Sequence, residues 1–406
     1  MNDLSVARFF DRTTPPHIVT LILLASVGPL SMTVFLPSLP NMTAYFETEY
    51  SYMQLSVAAY LFMIGLLHIV IGPLSDRYGR RPVAILSVMV FMLATVGCIA
   101  APNVETFLVF RMLQAAIVTG IVLSRAIVRD MVPQNEAASM IGYVTMGMAL
   151  VPMIAPTIGG ALDLAYGWQA SFGLMLAFGA LLMAFLHFDL GETAINRSSS
   201  FAQQFREYPE LFRSRRFWGY AACAACASGN FFAFLGGAPI IGSDYFGLTP
   251  TQLGLYFGIT AFGYMVGNFI SGRYSMRIGT HRMVFLGALL MISCPTGALI
   301  AEAFEVTHPL GFFGFMIIIG VGNGIILPNA TAGMLSVRPH LAGTASGIGG
   351  ALTIGGGSGI SAYAGLILSE QPNPMPLIVI LAICVTLSLV AACYVRWVEA
   401  EIRIRG

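Results

Sequence analysis

The sequence predicts an all-α membrane protein of twelve transmembrane helices in two pseudo-symmetric six-helix halves. Three observations predict it. Of 406 residues, 57% are hydrophobic and only 10% charged, against about a quarter charged in soluble domains. Apolar runs of about 18 residues or more recur along the whole chain, each long enough to cross a hydrocarbon core of about 30 Å. Arginine falls on alternate connections only, which demands an even number of crossings. A soluble helical protein is excluded, and a net charge of +1 leaves no footprint for nucleic acid.

Taken in order, residues 1–16 form a polar tail with Arg8 and Arg12. Spans are expected at about 17–39, 51–72, 83–101, 105–127, 138–162 and 168–188. The first apolar run, about 22 residues, reads as a span and not as a cleavable signal. The polar stretch 189–216 carries five arginines and is expected to link an N-terminal half, 1–188, to a C-terminal half, 217–406. Further spans are expected at about 217–241, 251–272, 283–301, 309–334, 342–367 and 375–397. All twenty basic residues are arginine. None falls in 40–50, 102–104, 163–167, 242–250, 302–308 or 368–374, and nineteen lie on the opposite side or at its helix ends. The positive-inside rule therefore places both termini and 189–216 in the cytoplasm. The six cysteines all lie inside predicted spans. Cys223-x-x-Cys226, in an alanine-rich helix, reads as small-residue packing instead of a redox or metal site. No metal or cofactor is expected.

Between spans 2 and 3 stands Gly72-Pro-Leu-Ser-Asp76-Arg77-Tyr-Gly79-Arg80-Arg81-Pro-Val83. A basic hairpin that only orients the chain explains the arginines, but not an acid and two glycines at fixed offsets. Gly272-x6-Gly279 repeats the pattern 200 residues later, with Arg277 opposite Arg77. In that copy Met276 replaces the acid, and Thr280 and His281 replace the arginine pair. The first copy resembles the signature loop of the major facilitator superfamily, G-x-L-x-D-R-x-G-R-R, whose members are transporters of two parallel six-helix halves. The resemblance implies a conformational latch. Asp76 would face the start of span 11 near Leu341-Ala-Gly-Thr344, with Arg129-Asp130 nearby and Arg80 paired to Asp130.

Other stretches extend the likeness. Arg111 lies about six residues into span 4, with Gln114 and Thr119 on the same helical face, a polar stripe expected to line a cavity. It resembles the family motif R-x-x-Q-G, with Ala115 in place of the glycine, and implies a part in proton coupling. Span 5 carries Gly142, Pro156, Gly159 and Gly160, resembling the antiporter motif G-x8-G-x3-G-P-x2-G-G, from which Val151 and Ala155 depart. Its physical role would be close packing that seals one side of a cavity. Asn230, Phe231 and Phe234 in span 7 and Asn323 in span 10 offer an amide and aromatic lining with little charge, suited to bulky amphipathic ligands. With the loop, these stretches resemble the Bcr/CflA drug-resistance type over nearly the full length.

One departure matters. Thr33, before Leu36-Pro37, replaces an acid common in span 1 of such proteins, and no Asp or Glu lies at midplane depth in any span. Of the titratable groups left inside spans, His68 is expected near the cytoplasmic end of span 2, where a helix C-terminus would favour its charged form. The resemblance implies no enzyme but a secondary transporter in a bacterial inner membrane. It would export drug-like amphipathic small molecules by alternating access, in exchange for protons that pass through His68 or the latch. The alternative is transport of an endogenous, anionic metabolite with Arg111 as counter-charge. The expected partners are lipid bilayer, small-molecule substrate and protons, for a monomer.

Overall fold

Inside hydrocarbon no water satisfies the backbone, so each apolar run must pair its own N–H and C=O groups as a helix. The computed structural model describes residues 8–131, 140, 143–145, 147–148, 150–194, 211–304, 308–337, 342–370 and 373–405. These residues form helices and no strands. We number the spans α1 (Ile18–Tyr45, interrupted), α2 (Tyr50–Tyr78), α3 (Arg80–Ile99), α4 (Val104–Gln114, Ala115–Val118 and Thr119–Met131), α5 (Val151–Tyr166) and α6 (Gln169–Phe188). They continue as α7 (Arg215–Ile240), α8 (Pro250–Ile278), α9 (Thr280–Ala303), α10 (Leu310–Ser336), α11 (Ala342–Glu370) and α12 (Pro374–Arg405). Eleven of these contain a stretch long and apolar enough to cross a membrane. The exception, α5, is described over 16 residues only, because the first part of that predicted span falls largely outside the described residues.

The connection between α2 and α3 is far shorter than expected. Helix α2 runs through Gly72, Pro73 and Asp76 to Tyr78, and only Gly79 breaks the helical path before Arg80. Gly79 sits at φ +102°, and its N–H returns to the Ser75 carbonyl at 3.0 Å. Two hundred residues on, Gly279 at φ +92° bonds the Ser275 carbonyl at 2.9 Å. The two turns therefore share one geometry, although the charged residues around them differ.

Helix α1 is interrupted for a chemical reason. The prolines Pro37 and Pro40 bring no backbone N–H. The α-helix stops at Thr33, a short 3-10 turn covers Leu36–Ser38, and helix resumes over Leu39–Tyr45. The last carbonyls of the first piece are left without helical partners.

We call the end of the bundle that carries both termini the tail end, and the opposite one the far end. Two seams join the first six spans to the last six. Along one, α2 meets α7 and α11: the Tyr50 hydroxyl donates to the Gly236 carbonyl at 2.7 Å, and Gln54 Nε2 donates to Ser361 Oγ at 2.8 Å. Along the other, α5 meets α8 backbone to backbone. A Cβ at Gly160 would lie 2.2 Å from the Pro250 carbonyl oxygen, and one at Gly254 2.5 Å from that of Pro156. Both sets of contacts lie toward the far end.

At the tail end, the buried carboxylate of Asp189 accepts from the backbone N–H groups of Phe10 and His17 and from the Thr20 hydroxyl. It fastens the N-terminal tail across the ends of α1 and α6. Beside it Phe9 packs edgewise on Phe185, and Phe10 packs tilted on Phe185 and edgewise on Phe188.

Candidate functional site

Among the described residues, Arg111 and Asp189 are the most enclosed charged side chains. Arg111 is 1% exposed although its side chain is among the largest in the core. Its Nη2 donates to the Ser31 carbonyl at 2.8 Å, one of the carbonyls freed where α1 stops. Nη1 donates to Ser31 Oγ at 2.9 Å and to Gln114 Oε1 at 2.7 Å, and Nε to the Ser56 carbonyl at 3.2 Å. The rings of Tyr60 and Phe35 lie 3.9 and 4.4 Å from its guanidinium carbon. Among the described residues no carboxylate lies within ion-pair distance of it. The charge is thus held by neutral oxygens and ring faces, which stabilise a desolvated guanidinium without neutralising it.

The stripe expected beside Arg111 does not line an open wall. Gln114 is fully buried and donates to Thr95 Oγ1 of α3 at 2.7 Å. Thr119, 2% exposed, bonds the Ala116 carbonyl and Ser87 Oγ. Both side chains are satisfied inside the packing of α3 and α4. Thr33 is also buried and donates to the Pro29 carbonyl at 2.8 Å.

The tail-end cluster is built around Arg80. Its Nε lies 3.1 Å from Asp130 Oδ2, its Nη1 donates to Ser75 Oγ at 2.5 Å, and its backbone N–H donates to Glu192 Oε1 at 2.9 Å. Glu192 lies just after α6 and presses its carboxylate onto the Gly79 turn, where a Cβ would sit 2.3 Å from Oε2. A carboxylate at the first N–H groups of α3 is also favoured by the helix dipole. Glu192 was not singled out from the sequence, since one acid in a polar stretch carries no signal of its target. Arg77 is exposed, with its guanidinium 5.6 Å from the Tyr78 ring. Arg81 is half-buried, and Gly72 lies where a Cβ would meet nothing within 4 Å. The Asp76 side chain and Gly142 lie outside the described residues.

His68 is not near a helix end. Helix α2 continues ten residues beyond it, about 15 Å. The dipole effect fades within the last turn, so the expectation of a C-terminal charge on this ring falls away. His68 is half-buried, its Nδ1 lies 2.9 Å from the Ile64 carbonyl, and a Cβ at Gly350 of α11 would lie 3.2 Å from its Cδ2. It therefore stands on the seam between α2 and α11.

The predicted lining residues divide. Asn230 is fully buried, and among the described residues neither atom of its amide has a hydrogen-bond partner. Asn323, 1% exposed, donates to the Ile319 carbonyl at 3.0 Å, and its oxygen has no partner among the described residues. Phe231 is half-buried. Phe234, by contrast, is fully buried between Phe257 and Phe313, at 5.3 and 6.2 Å between ring centroids. It is core packing and not an open lining. In span 5, a Cβ at Gly159 would lie 1.6 Å from the Val34 carbonyl oxygen of α1, while Gly160 and Pro156 meet α8 as described above. A groove of about 380 Å³ on the α2–α11 seam is lined by Phe62, Leu66, Ile348, Leu352 and Trp218, among others, with apolar surface.

Arg125 is expected near the end of span 4, at about residue 127. The helix continues to Met131, so Arg125 lies six residues inside, about 9 Å.

Twelve helices, eleven of them with a described stretch long and apolar enough to cross a membrane, and two interhelical seams define a multi-pass membrane protein of the transporter class. The chain belongs to the Major Facilitator Superfamily, whose family model matches residues 21–362. Among its relatives, the uncharacterized MFS-type transporter YdgK of Bacillus subtilis (strain 168) is 30% identical over 85% of this chain and 87% of its own. The chloramphenicol resistance protein of Pseudomonas aeruginosa is 30% identical over 92% and 88%. Multidrug resistance protein D of Escherichia coli (strain K12) is 26% identical over 84% and 86%. These names agree with the likeness to the Bcr/CflA type. Among solved structures, a D-xylose-proton symporter shares the fold, with a TM-score of 0.73 at 14% identity over 93% of this chain and 96% of that one.

Proposed function

We propose that the protein exports drug-like amphipathic small molecules across a bacterial inner membrane by alternating access, in exchange for protons. Both termini lie in the cytoplasm in this reading, which rests on the arginine asymmetry. The far end is then the outer one, and the protein stands in a state sealed toward the outside. The observation that carries the reading is the α5 seam. Pro156 and Gly160 place bare backbone against α8 at the far end, which lets the two halves close without an intervening layer of side chains. Full-length relatives named for chloramphenicol and multidrug resistance support the choice of cargo.

In this reading Asn230 and Asn323 offer buried amides to the substrate. Desolvated polar atoms without protein partners are costly unless a ligand or water meets them. Arg111 organises α1, α2 and α4 and keeps a fixed positive potential in the N-terminal half. Arginine does not titrate at physiological pH, so protons are assigned to His68 on the α2–α11 seam or to the Asp76–Arg80–Asp130 latch. A second reading, transport of an endogenous anionic metabolite, draws on the same uncompensated Arg111.

Two measurements test the proposal. Expression in an efflux-deficient host should raise resistance to chloramphenicol or to other compounds of a toxic panel. Efflux from everted vesicles should follow an imposed pH gradient, and His68→Gln should lose that dependence. Flux in wild type that ignores the gradient removes the antiport assignment, and no resistance to any compound removes drug export.

A further inference from the structure

We propose that Asp163 is a proton-operated lock of the outer seal: its carboxyl holds a proton while α5 and α8 are closed and releases it to the outer solution when they part. This rests on the reading above that the α5–α8 seam opens and closes. The sequence places Asp163 in a far-end connection, 163–167, but α5 continues to Tyr166 and takes it into its last turn. Successive residues of a helix turn by about 100°, so Asp163 projects between the directions of Gly159 and Gly160. Gly159 abuts the Val34 carbonyl of α1, and Gly160 the Pro250 carbonyl of α8. The carboxyl therefore stands in the corner where α1, α5 and α8 meet. Asn41 Nδ2 of α1 donates to its Oδ2 at 2.7 Å. Asp163 is 5% exposed, and its Oδ1 has no hydrogen-bond partner among the described residues. Neither has Oγ of buried Ser38, one turn before Asn41.

The walls of that corner bring no opposite charge. Helix α5 packs against α1 with its 3-10 turn, α6 and α8. The chain has no charged or histidine side chain between His17 and Glu47, so α1 carries none. Helix α6 has none before His187 at its tail end, and α8 none before Arg273 at its own. Toward the far end the other titratable side chains of α1, α5 and α8 are Tyr45, Tyr166 and Tyr256, all neutral at physiological pH. Among the described residues no arginine or histidine forms an ion pair with Asp163. An ionised carboxylate shut in without a counter-charge is costly, and a proton removes that cost. Withdrawal of α8 takes away one wall and lets water stabilise the anion. Acid outside therefore favours the sealed state, and alkali the open one. The proton comes from the outer solution and returns to it, so this step gates the cycle and carries no proton across.

The test uses the full chain, with the six native cysteines replaced, in proteoliposomes with a buffered interior. Ser361→Cys, buried and bonded to Gln54 behind the closed far end, reports opening to an impermeant maleimide added outside. Tyr245→Cys, exposed at that end, counts the molecules that present it outward and corrects for the reagent's own response to pH. With Asp163 in place, the corrected rate should rise up to about tenfold between outer pH of about 5.5 and about 8.5, as for one proton held about ten times more tightly in the sealed state. Asp163→Asn keeps the size but cannot ionise, and should hold the rate at its acid value throughout. Glu47, Glu49 and Asp244, exposed at the same end, titrate alike in both chains. Asn41→Ala removes a donor that stabilises the anion and should move the midpoint of the rise to higher pH. A reactive thiol whose rate ignores pH, a rise that survives Asp163→Asn, or a midpoint unmoved by Asn41→Ala overturns the proposal. So does a rate set by added sodium chloride at fixed pH, which would mean a bound cation in place of the proton. A thiol unreactive at every pH refutes the opening of the seam itself, and the lock with it. No drug enters the measurement, so absence of export by the wild type would remove the efflux reading and leave these rates as they are.

Discussion

Replacing Gly160 by alanine asks whether the α5–α8 seam opens during transport. The added Cβ would lie 2.2 Å from the carbonyl oxygen of Pro250 and 2.9 Å from Cα of Thr251. Both are backbone atoms at the start of α8, so no side chain can rotate out of the way. Restoring an ordinary contact of 3.4 Å requires the helices to part by about 1.2 Å. Overpacking of this kind costs about 1–3 kcal/mol. If the seam separates in the opposite conformation, the cost falls on the sealed state alone. A bias of about 2 kcal/mol then changes the ratio of the two states about 30-fold. The assay is the labelling of Ser361→Cys by an impermeant maleimide added from outside, in a chain lacking the native cysteines. Ser361 is fully buried and bonded to Gln54 behind the closed far end, so its rate of reaction reports opening. The expected result is a rise of up to about 30-fold in that rate. Gly159→Ala is the control, since its Cβ would strike Val34 of α1 in the same half, a contact that rocking halves retain. It should lower the yield of folded protein and leave the labelling rate alone. An unchanged rate in folded Gly160→Ala, or an equal rise in Gly159→Ala, refutes the seal.

Three further outcomes are expected. Gly79→Ala and Gly279→Ala both place a side chain at positive φ, at a cost of about 1–3 kcal/mol, but only Gly79 also faces Glu192. Thermal unfolding in detergent should therefore drop further for Gly79→Ala, and equal drops would show that the Glu192 contact contributes nothing. Arg111→Lys keeps the charge but not the planar fork that reaches Ser31, Ser56 and Gln114 together. Transport should fall at least tenfold with membrane expression retained, and full activity would mean that charge alone suffices there. Single cysteines at Tyr245 and Arg213 should be labelled from outside and from inside respectively, and the reverse pattern would invert the topology.

Much of this molecule was legible from composition and pattern. Hydrocarbon forces helices upon apolar runs, so length and hydropathy were enough to place eleven of the spans to within a few residues at most boundaries, while the start of span 5 lies outside the described residues. The paired glycines at 79 and 279 announced equivalent turns, because a positive φ is a local demand that glycine alone meets cheaply. The closeness of α5 to its neighbours was likewise written in Gly159 and Gly160. What the sequence could not give was direction and depth. A polar residue on a membrane helix reads the same whether it faces a cavity or a neighbouring helix. Only packing showed that Gln114 turns to Thr95, that Phe234 lies between Phe257 and Phe313, and that Glu192 reaches the Gly79 turn. Helix ends were the other blind spot. Charged residues suggest the ends of spans in the sequence, yet α2 and α4 run on through theirs to Tyr78 and Met131, which leaves His68 ten residues inside its helix, on the seam between α2 and α11. Local chemistry determines that a segment is helical, but which way its polar groups point is settled by contacts between residues hundreds of positions apart.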